Sequence, residues 1–204
     1  MANSTPPIVP GDDAGPQATV RKVLKVLREP RLAVALFNAQ LRTRGKVKGR
    51  LPLSVRLYGR IRLEAYGNVE FGEGVTLVGN VVPIEFISHK GSYLSIGDRT
   101  FINYGASITA YQQVKIGSHC LLGHHLFVVD RSGIEQRKGA PSAAQVVIED
   151  NVWIGSNVTI LPGVRIRRDA AIGSGSVVTG DIPASCLAVG NPARVIRQLD
   201  GVES

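Results

Sequence analysis

A large aliphatic residue returns at every sixth position between residues 148 and 178. The members of this series are Ile148, Ile154, Ile160, Ile166, Ile172 and Val178. A second series with the same spacing consists of Val152, Val158, Val164, Ala170 and Ser176. This period is neither the 3.6 of an α-helix nor the 2 of an ordinary strand, and a six-residue repeat is typical of a parallel β-helix. The pattern therefore predicts short strands with inward aliphatic side chains, joined by corners of small or polar residues.

The same register extends upstream with two interruptions. Its positions there are Leu57, Leu63, Val69, Val75 and Val81, then Ile96, Ile102 and Ile108, then Ile116, Leu122 and Val128. An insertion near residues 83–93 accounts for the first shift. With three six-residue sides per turn, residues 57–178 predict roughly six coils. Residues 129–147 break the pattern, which predicts a long loop of the kind that carries function.

The segments outside the repeat have their own patterns. Residues 1–17 are rich in proline and predict a disordered arm. Residues 18–50 form a basic segment in which helices are predicted over 18–28 and 32–41. The β-helix is assigned to residues 51–192, and residues 193–204 predict a C-terminal helix and tail. The fold class is thus all-β, a parallel β-helix with a short N-terminal helical segment and a C-terminal helix.

The charge of the chain is concentrated at one end. Residues 1–62 hold 13 Lys and Arg against 3 Asp and Glu, whereas the other residues hold 11 against 13. Aromatic residues make up only 5% of the chain and do not interleave with the basic ones, so nucleic-acid binding is not expected. Two interpretations of the basic segment stay open. It either docks on the coils with a solvated charged face, or contacts an anionic membrane surface.

The remaining composition bounds the class of protein. The chain has 204 residues, of which 44% are hydrophobic and 20% charged, as expected for one soluble domain. Two cysteines, Cys120 and Cys186, cannot form a disulfide framework and are expected to be buried. The sequence shows neither a secretory signal nor an apolar run of about 18 residues, so a cytoplasmic location is expected.

Three segments of the chain resemble the hexapeptide-repeat acyltransferases. They are NVWIGSNVTILPGV at 151–164, AIGSGSVVTGDIP at 171–183 and VGNPARVIR at 189–197. The likeness is strongest to the maltose, galactoside and xenobiotic acetyltransferases and to the cell-surface polysaccharide O-acetyltransferases. This resemblance implies a left-handed β-helix, a homotrimer, and acetyl-coenzyme A bound in a cleft between neighbouring coils. It implies no bound metal.

The resemblance also implies residues that hold the cofactor. Small residues after two Ile-Gly pairs let the pantetheine arm approach the backbone, a residue pair lies near the phosphates, and two arginines bind the phosphates. In this chain those positions are Ser156 and Ser174, then Thr179 and Gly180, then Arg194 and Arg197. Gly180 stands where relatives have lysine. Trp153, the only tryptophan, should point outward as a wall for the cofactor or the acceptor.

The catalytic position departs from the family pattern. A general base must take the acceptor's proton, and in the family a loop histidine does so. Here Arg131-Ser132-Gly133 replaces the expected His-Pro. His124 and His125, at the corner before that strand, are the nearest substitutes, with Asp130 to orient the imidazole or bind the acceptor. Upstream, Asn103 matches an acceptor-binding segment in which Gly105 replaces a further asparagine.

The sequence accordingly predicts an acetyltransferase that moves an acetyl group from acetyl-coenzyme A to a hydroxyl of a saccharide or cell-surface glycan precursor. Because the loop histidine is missing, an inactive trimeric scaffold or binding protein is one alternative. N-acetylation of an amino sugar is another. A zinc ion held between subunits by His89, His119 and His124, as in the gamma-class carbonic anhydrases, is a further interpretation.

Overall fold

The computed structural model describes residues 30–43, 47, 49–131 and 143–199. Internal contacts divide the chain into two units, Met1–Val34 and Ala35–Ser204. The first unit is described only in residues 30–34, which begin helix α1 (Pro30–Thr43). This helix confirms the one predicted over 32–41, and Pro30 suits its first position because proline has no amide hydrogen to leave unpaired. The predicted arm 1–17, the predicted helix 18–28 and most of the loop, 132–142, lie outside the described residues.

The described residues of the second unit contain the rest of helix α1 and seventeen short strands. They are β1 (Arg56–Ala65), β2 (Asn68–Phe71), β3 (Thr76–Ser88), β4 (Tyr93–Ile96), β5 (Phe101–Ile102), β6 (Ser107–Ala110), β7 (Gln113–Ile116), β8 (Leu121–Leu122), β9 (Phe127–Val129), β10 (Val146–Ile148), β11 (Trp153–Ile154), β12 (Thr159–Ile160), β13 (Arg165–Ile166), β14 (Ala171–Ile172), β15 (Val177–Val178), β16 (Cys186–Gly190) and β17 (Ala193–Gln198).

Parallel pairing arranges strands β1 to β16 on three faces. Face A contains the first halves of β1 and β3, followed by β5, β8, β11, β14 and β16. Face B contains the second halves of β1 and β3, followed by β6, β9, β12 and β15. Face C contains β2, β4, β7, β10 and β13. Five coils have all three sides, and a sixth consists of β14, β15 and a bridge between Ile182 and Ile166. The predicted parallel β-helix is therefore confirmed.

The six-residue series fills the interior of the coils. Every member from Ile148 to Val178 is completely buried, and the second series, including Ser176, is at most 1% exposed. In the upstream part of the register, Val81 does not point inward, because its side chain is 66% exposed. Pairing passes from Gly59↔Gly79 to Ile61↔Ile84, so one residue of β1 faces four residues of β3. The insertion thus lies at residues 80–83, earlier than predicted.

The C-terminal helix predicted from residue 193 is wrong. Residues Ala193–Gln198 form strand β17, which pairs antiparallel with β16. The pairing shifts register by one residue between Leu187 and Ala188, which creates a β-bulge in β17. The physical reason is that β16 would otherwise leave the unpaired backbone edge of face A open, and β17 satisfies it.

Candidate functional site

The corner between faces A and B brings five of the predicted site residues into one column. His125 N donates to the Tyr104 carbonyl at 3.0 Å, and Asn157 N donates to the His124 carbonyl at 2.9 Å. On the next two coils, Ser156 N donates to Ser174 Oγ at 3.0 Å. Corner AB therefore stacks its residues coil upon coil, and the predicted ones among them are Asn103, His124, His125, Ser156 and Ser174.

The two histidines of corner AB pack against one tyrosine. The Tyr104 and His124 rings are parallel with centroids 5.0 Å apart, and His125 meets both rings edge-on at 5.5 and 5.4 Å. His124 Nδ1 is buried and has no hydrogen-bond partner among the described residues. Buried polar atoms are normally paired, so the unpaired nitrogen is an unusual feature of this corner. The His125 side chain is exposed.

Gly105 explains how His125 fits. A Cβ atom at position 105 would lie 2.5 Å from His125 Nδ1, which no van der Waals contact allows. Gly105 itself has φ 69° and His125 has φ 54°, so both residues occupy the left-handed region. The glycine at 105 and the imidazole at 125 are therefore coupled features of this corner.

Asp130 does not lie beside the histidines, so its predicted role of orienting an imidazole or binding the acceptor is wrong. Its carboxylate is completely buried at the corner between faces B and C. Oδ1 accepts the Tyr111 N–H at 2.7 Å, while Oδ2 accepts those of Gln112 and Gln113 at 2.7 and 2.6 Å. Because three backbone donors occupy both oxygens, Asp130 fixes the turn at residues 111–113.

Trp153 lies in an outward row along face A. Its side chain is 54% exposed, which confirms the outward orientation predicted for it. Trp153 pairs with Leu121 and Ala171, Ala171 pairs with Leu187, and Leu187 pairs with Arg197. Residues directly opposite each other share one side of a sheet. Arg197 is thus in line with Trp153.

The bulge in β17 also aligns the second predicted arginine. Arg194 pairs with Val189 and Arg197 with Leu187, and these two partners lie on either side of the inward Ala188. Three residues apart in a regular strand, the arginines would point to opposite sides. The extra residue of the bulge puts Arg194 and Arg197 on the same outward side of face A, where both are exposed.

Thr179 and Gly180 lie at corner BC and not with the serines of corner AB. Face B separates Ser174 from Thr179 by five residues, which corresponds to roughly 15 Å of extended chain. Gly180 is exposed, its φ is not left-handed, and a Cβ there would meet nothing within 4 Å. One subunit therefore presents these four predicted cofactor residues on two separate corners.

The three histidines of the zinc interpretation lie on three different corners. His124 is at corner AB, His89 is at corner BC, and His119 is at the corner between faces C and A. Within the described part of the chain, no group of three or more His, Cys, Asp or Glu residues could hold a metal ion. These positions keep the three histidines apart within one subunit, so a zinc site shared between subunits stays a prediction.

A stacked cluster at corner BC, formed by His89, Tyr111 and Arg131, was not predicted from the sequence. The cluster follows strands β3, β6 and β9 on three successive coils. A signal for it exists in the sequence, because each of its residues lies within two positions of the end of a face B strand. The unequal spacings of 22 and 20 residues between them conceal that relation.

Comparison with known proteins agrees with this architecture. Residues 145–180 match the family described as "Bacterial transferase hexapeptide (six repeats)". A putative acetyltransferase of Schizosaccharomyces pombe is 38% identical over 120 residues, which cover 54% of this chain and 55% of that protein. The galactoside O-acetyltransferase of Escherichia coli is 36% identical over 124 residues, which cover 59% of this chain and 61% of that protein. The chain thus spans little more than half the length of these two relatives.

Two solved structures share the fold. The polySia-specific acetyltransferase NeuO has a TM-score of 0.51 at 24% identity and covers 79% of this chain and 91% of its own. A mutant of AntD, an N-acyltransferase from Bacillus cereus, has a TM-score of 0.55 at 18% identity and covers 79% of this chain and 89% of its own. The six-residue series, the three-sided parallel coils and these matches lead to one conclusion: the chain forms a left-handed parallel β-helix, and its residues 145–180 match the hexapeptide-repeat family.

Proposed function

We propose that the protein is an acetyltransferase that moves an acetyl group from acetyl-coenzyme A to a hydroxyl of a saccharide or glycan precursor. The observation that carries this proposal is the outward row on face A, where Trp153 is in line with Arg197 and Arg194 lies on the same side. Guanidinium forks suit phosphate oxygens, and an exposed indole suits a flat or apolar part of the cofactor. The relatives named as acetyltransferases support the same reaction.

In this reaction a neutral imidazole of corner AB removes the proton of the acceptor hydroxyl. The hydroxyl oxygen then attacks the thioester carbonyl carbon. The resulting tetrahedral oxyanion collapses, the carbon–sulfur bond breaks, and the departing thiolate receives the proton from the imidazolium. We assign the base to His125, because it is the exposed histidine of the pair and Gly105 makes room for its ring. His124 supports His125 through the edge-on ring contact.

A homotrimer accounts for the two separated groups of cofactor residues. In a cyclic trimer every interface joins one surface of a subunit to a different surface of the next. Corner AB with Ser156 and Ser174 can then face corner BC with Thr179 and Gly180 of a neighbouring copy. One cofactor would contact both groups, which a single subunit keeps roughly 15 Å apart.

Helix α1 supports peripheral contact with an anionic membrane. Its small residues Ala35 and Ala39 are buried, while Phe37 and Leu41 are each 65% exposed. Exposed aromatic and aliphatic side chains within a basic segment fit a surface of anionic lipid. Among the described residues there is no helix long and apolar enough to cross a bilayer. Flotation with phosphatidylglycerol vesicles, compared with phosphatidylcholine vesicles and with the Phe37→Ser, Leu41→Ser variant, tests this contact.

The test of the catalytic proposal follows release of coenzyme A with a panel of sugar acceptors. His125→Asn should lower kcat by about 10²- to 10⁴-fold, because it removes a general base. Asparagine is chosen since it tolerates the left-handed φ of 54° at this position. His119→Asn is the matched control, because His119 is exposed at another corner with φ 59°. Arg194→Ala should weaken coenzyme A binding and leave kcat unchanged.

An inactive scaffold is the second candidate, favoured by Arg131-Ser132-Gly133 in place of the loop histidine. Calorimetry with coenzyme A distinguishes the two. Binding without turnover on any hydroxyl or amine acceptor would support the scaffold, whereas turnover only with amino sugars would identify an N-acetyltransferase. Absence of coenzyme A binding would contradict both the transferase and the cofactor-binding scaffold.

A further inference from the structure

Three side chains from successive coils form a stack at corner BC. The rings of His89 and Tyr111 lie 4.0 Å apart between centroids with an angle of 11°. Arg131 Cζ lies 4.7 Å from the centroid of the Tyr111 ring. His89, Tyr111 and Arg131 belong to the second, third and fourth coils in that order, so the tyrosine is held between the other two. We call this group the BC stack.

The backbone around the BC stack is fixed by buried hydrogen bonds. The Tyr111 amide donates to the buried carboxylate of Asp130, the residue directly before Arg131. His89 N donates to the Ala110 carbonyl at 2.9 Å, directly before Tyr111. All three residues of the stack are thus attached to one network of backbone contacts. The arrangement is preorganised, so a ligand that uses it need not order these backbone positions.

Among the described residues, the positive charge of the BC stack has no matching carboxylate. Arg131 forms no ion pair with any described residue, and Lys90, next to His89, is exposed. Asp130 is the nearest acid in sequence, but it is buried and its two oxygens already accept three backbone hydrogen bonds. No hydrogen bond of the His89 imidazole or the Tyr111 hydroxyl joins a described residue. With respect to the described residues, donor groups therefore remain at the edge of the stack, while both faces of the Tyr111 ring are covered.

We propose that the BC stack binds an oxyanion carried by the acceptor sugar, either a carboxylate or a phosphate. The inference rests on the proposed transferase function and adds the class of acceptor to it. The Arg131 guanidinium holds the oxyanion through paired N–H groups, and Tyr111 fixes the plane of that guanidinium. The Tyr111 hydroxyl and the His89 ring edge hydrogen-bond hydroxyls of the sugar. In the proposed trimer this corner faces corner AB of the next copy, so the acceptor extends towards the base there.

A bracing role for the same stack makes a different prediction. If the three side chains only held the coils together, Arg131→Gln would lower the melting temperature and would treat charged and neutral acceptors alike. An oxyanion site predicts instead a change that depends on the charge of the acceptor. Arg167→Gln serves as the matched control, because Arg167 is an exposed arginine at corner CA.

The experiment measures acetyl transfer to two pairs of acceptors. Methyl glucuronide is compared with its uncharged amide, and glucose 1-phosphate with methyl glucoside. The wild-type chain and Arg167→Gln should show a KM about 10-fold or more lower for the charged member of at least one pair, and Arg131→Gln should abolish that preference. The pair that shows the preference identifies the oxyanion. Direct binding of the same four sugars, measured by ligand-observed NMR, provides a readout that needs no turnover.

The outcomes separate the two proposals. Transfer with equal KM for both members of each pair, or a preference that survives in Arg131→Gln, would overturn the oxyanion site and leave the transferase function standing. If no acceptor is acetylated, the transferase proposal fails and the NMR measurement decides the site alone. Charge-dependent binding lost in Arg131→Gln would then support the oxyanion site, and binding without charge dependence would refute it.

Discussion

The replacement Asp130→Asn tests whether this carboxylate holds the turn at residues 111–113. The asparagine oxygen can keep the two hydrogen bonds from Gln112 and Gln113, which leaves its amide group facing the Tyr111 N–H. Loss of one buried hydrogen bond costs about 1–3 kcal/mol, and each of the other two loses about 1 kcal/mol when its acceptor becomes neutral. Relief of the buried charge offsets part of this loss. We expect a net destabilisation of about 2 kcal/mol.

Thermal unfolding at one fixed protein concentration measures this effect. For a chain of this size 1 kcal/mol shifts the Tm by about 2–4 °C, so Asp130→Asn should lower it by about 4–8 °C. Asp169→Asn is the control, since Asp169 is an exposed corner residue whose φ of 59° asparagine tolerates. Its Tm should stay within about 2 °C of the wild type. An unchanged Tm in Asp130→Asn would refute the structural role.

Two further predictions concern Gly180 and Cys120. Gly180→Lys places the lysine of the family pattern in open space, so the variant should fold like the wild type and bind coenzyme A several-fold more tightly. The control is Gly175→Lys, which is equally open. Because Gly175 has φ 74°, this variant should lose about 1 kcal/mol of stability. Weaker coenzyme A binding in Gly180→Lys would argue against phosphates at this corner. Burial raises the pKa of the Cys120 thiol to about 11, so its thiolate forms only in strongly alkaline solution. Iodoacetamide at pH 8 should label Cys120 in denaturant but not in the native chain, and rapid native labelling would contradict the burial.

The repeat was predictable because it depends on local sequence. A coil with six residues per side buries the aliphatic at every sixth position together with the second series. Residues 148–178 adopt this coil. Both cysteines are buried as expected from their apolar character. Trp153 is outward because it precedes the inward Ile154.

The errors arise where distant residues decide the structure. The short apolar run at 193–198 suits a strand or a helix equally, and only the open edge of β16 selects the strand. Asp130 is adjacent to the expected loop histidine position, but the three amides it caps lie 17 to 19 residues earlier in the chain. Tyr111 meets His89 and Arg131 only because insertions of unequal length bring their corners into line.

Acceptor-dependent release of coenzyme A from acetyl-coenzyme A tests the central claim most directly. The measurement compares the wild type with His125→Asn and with His119→Asn on the same panel of charged and neutral sugars. The account predicts turnover by the wild type and by His119→Asn, and a loss of about 10²-fold or more in His125→Asn with coenzyme A affinity unchanged. Equal turnover in all three proteins would contradict the assignment of the base, and no turnover in any of them would contradict the proposed transferase.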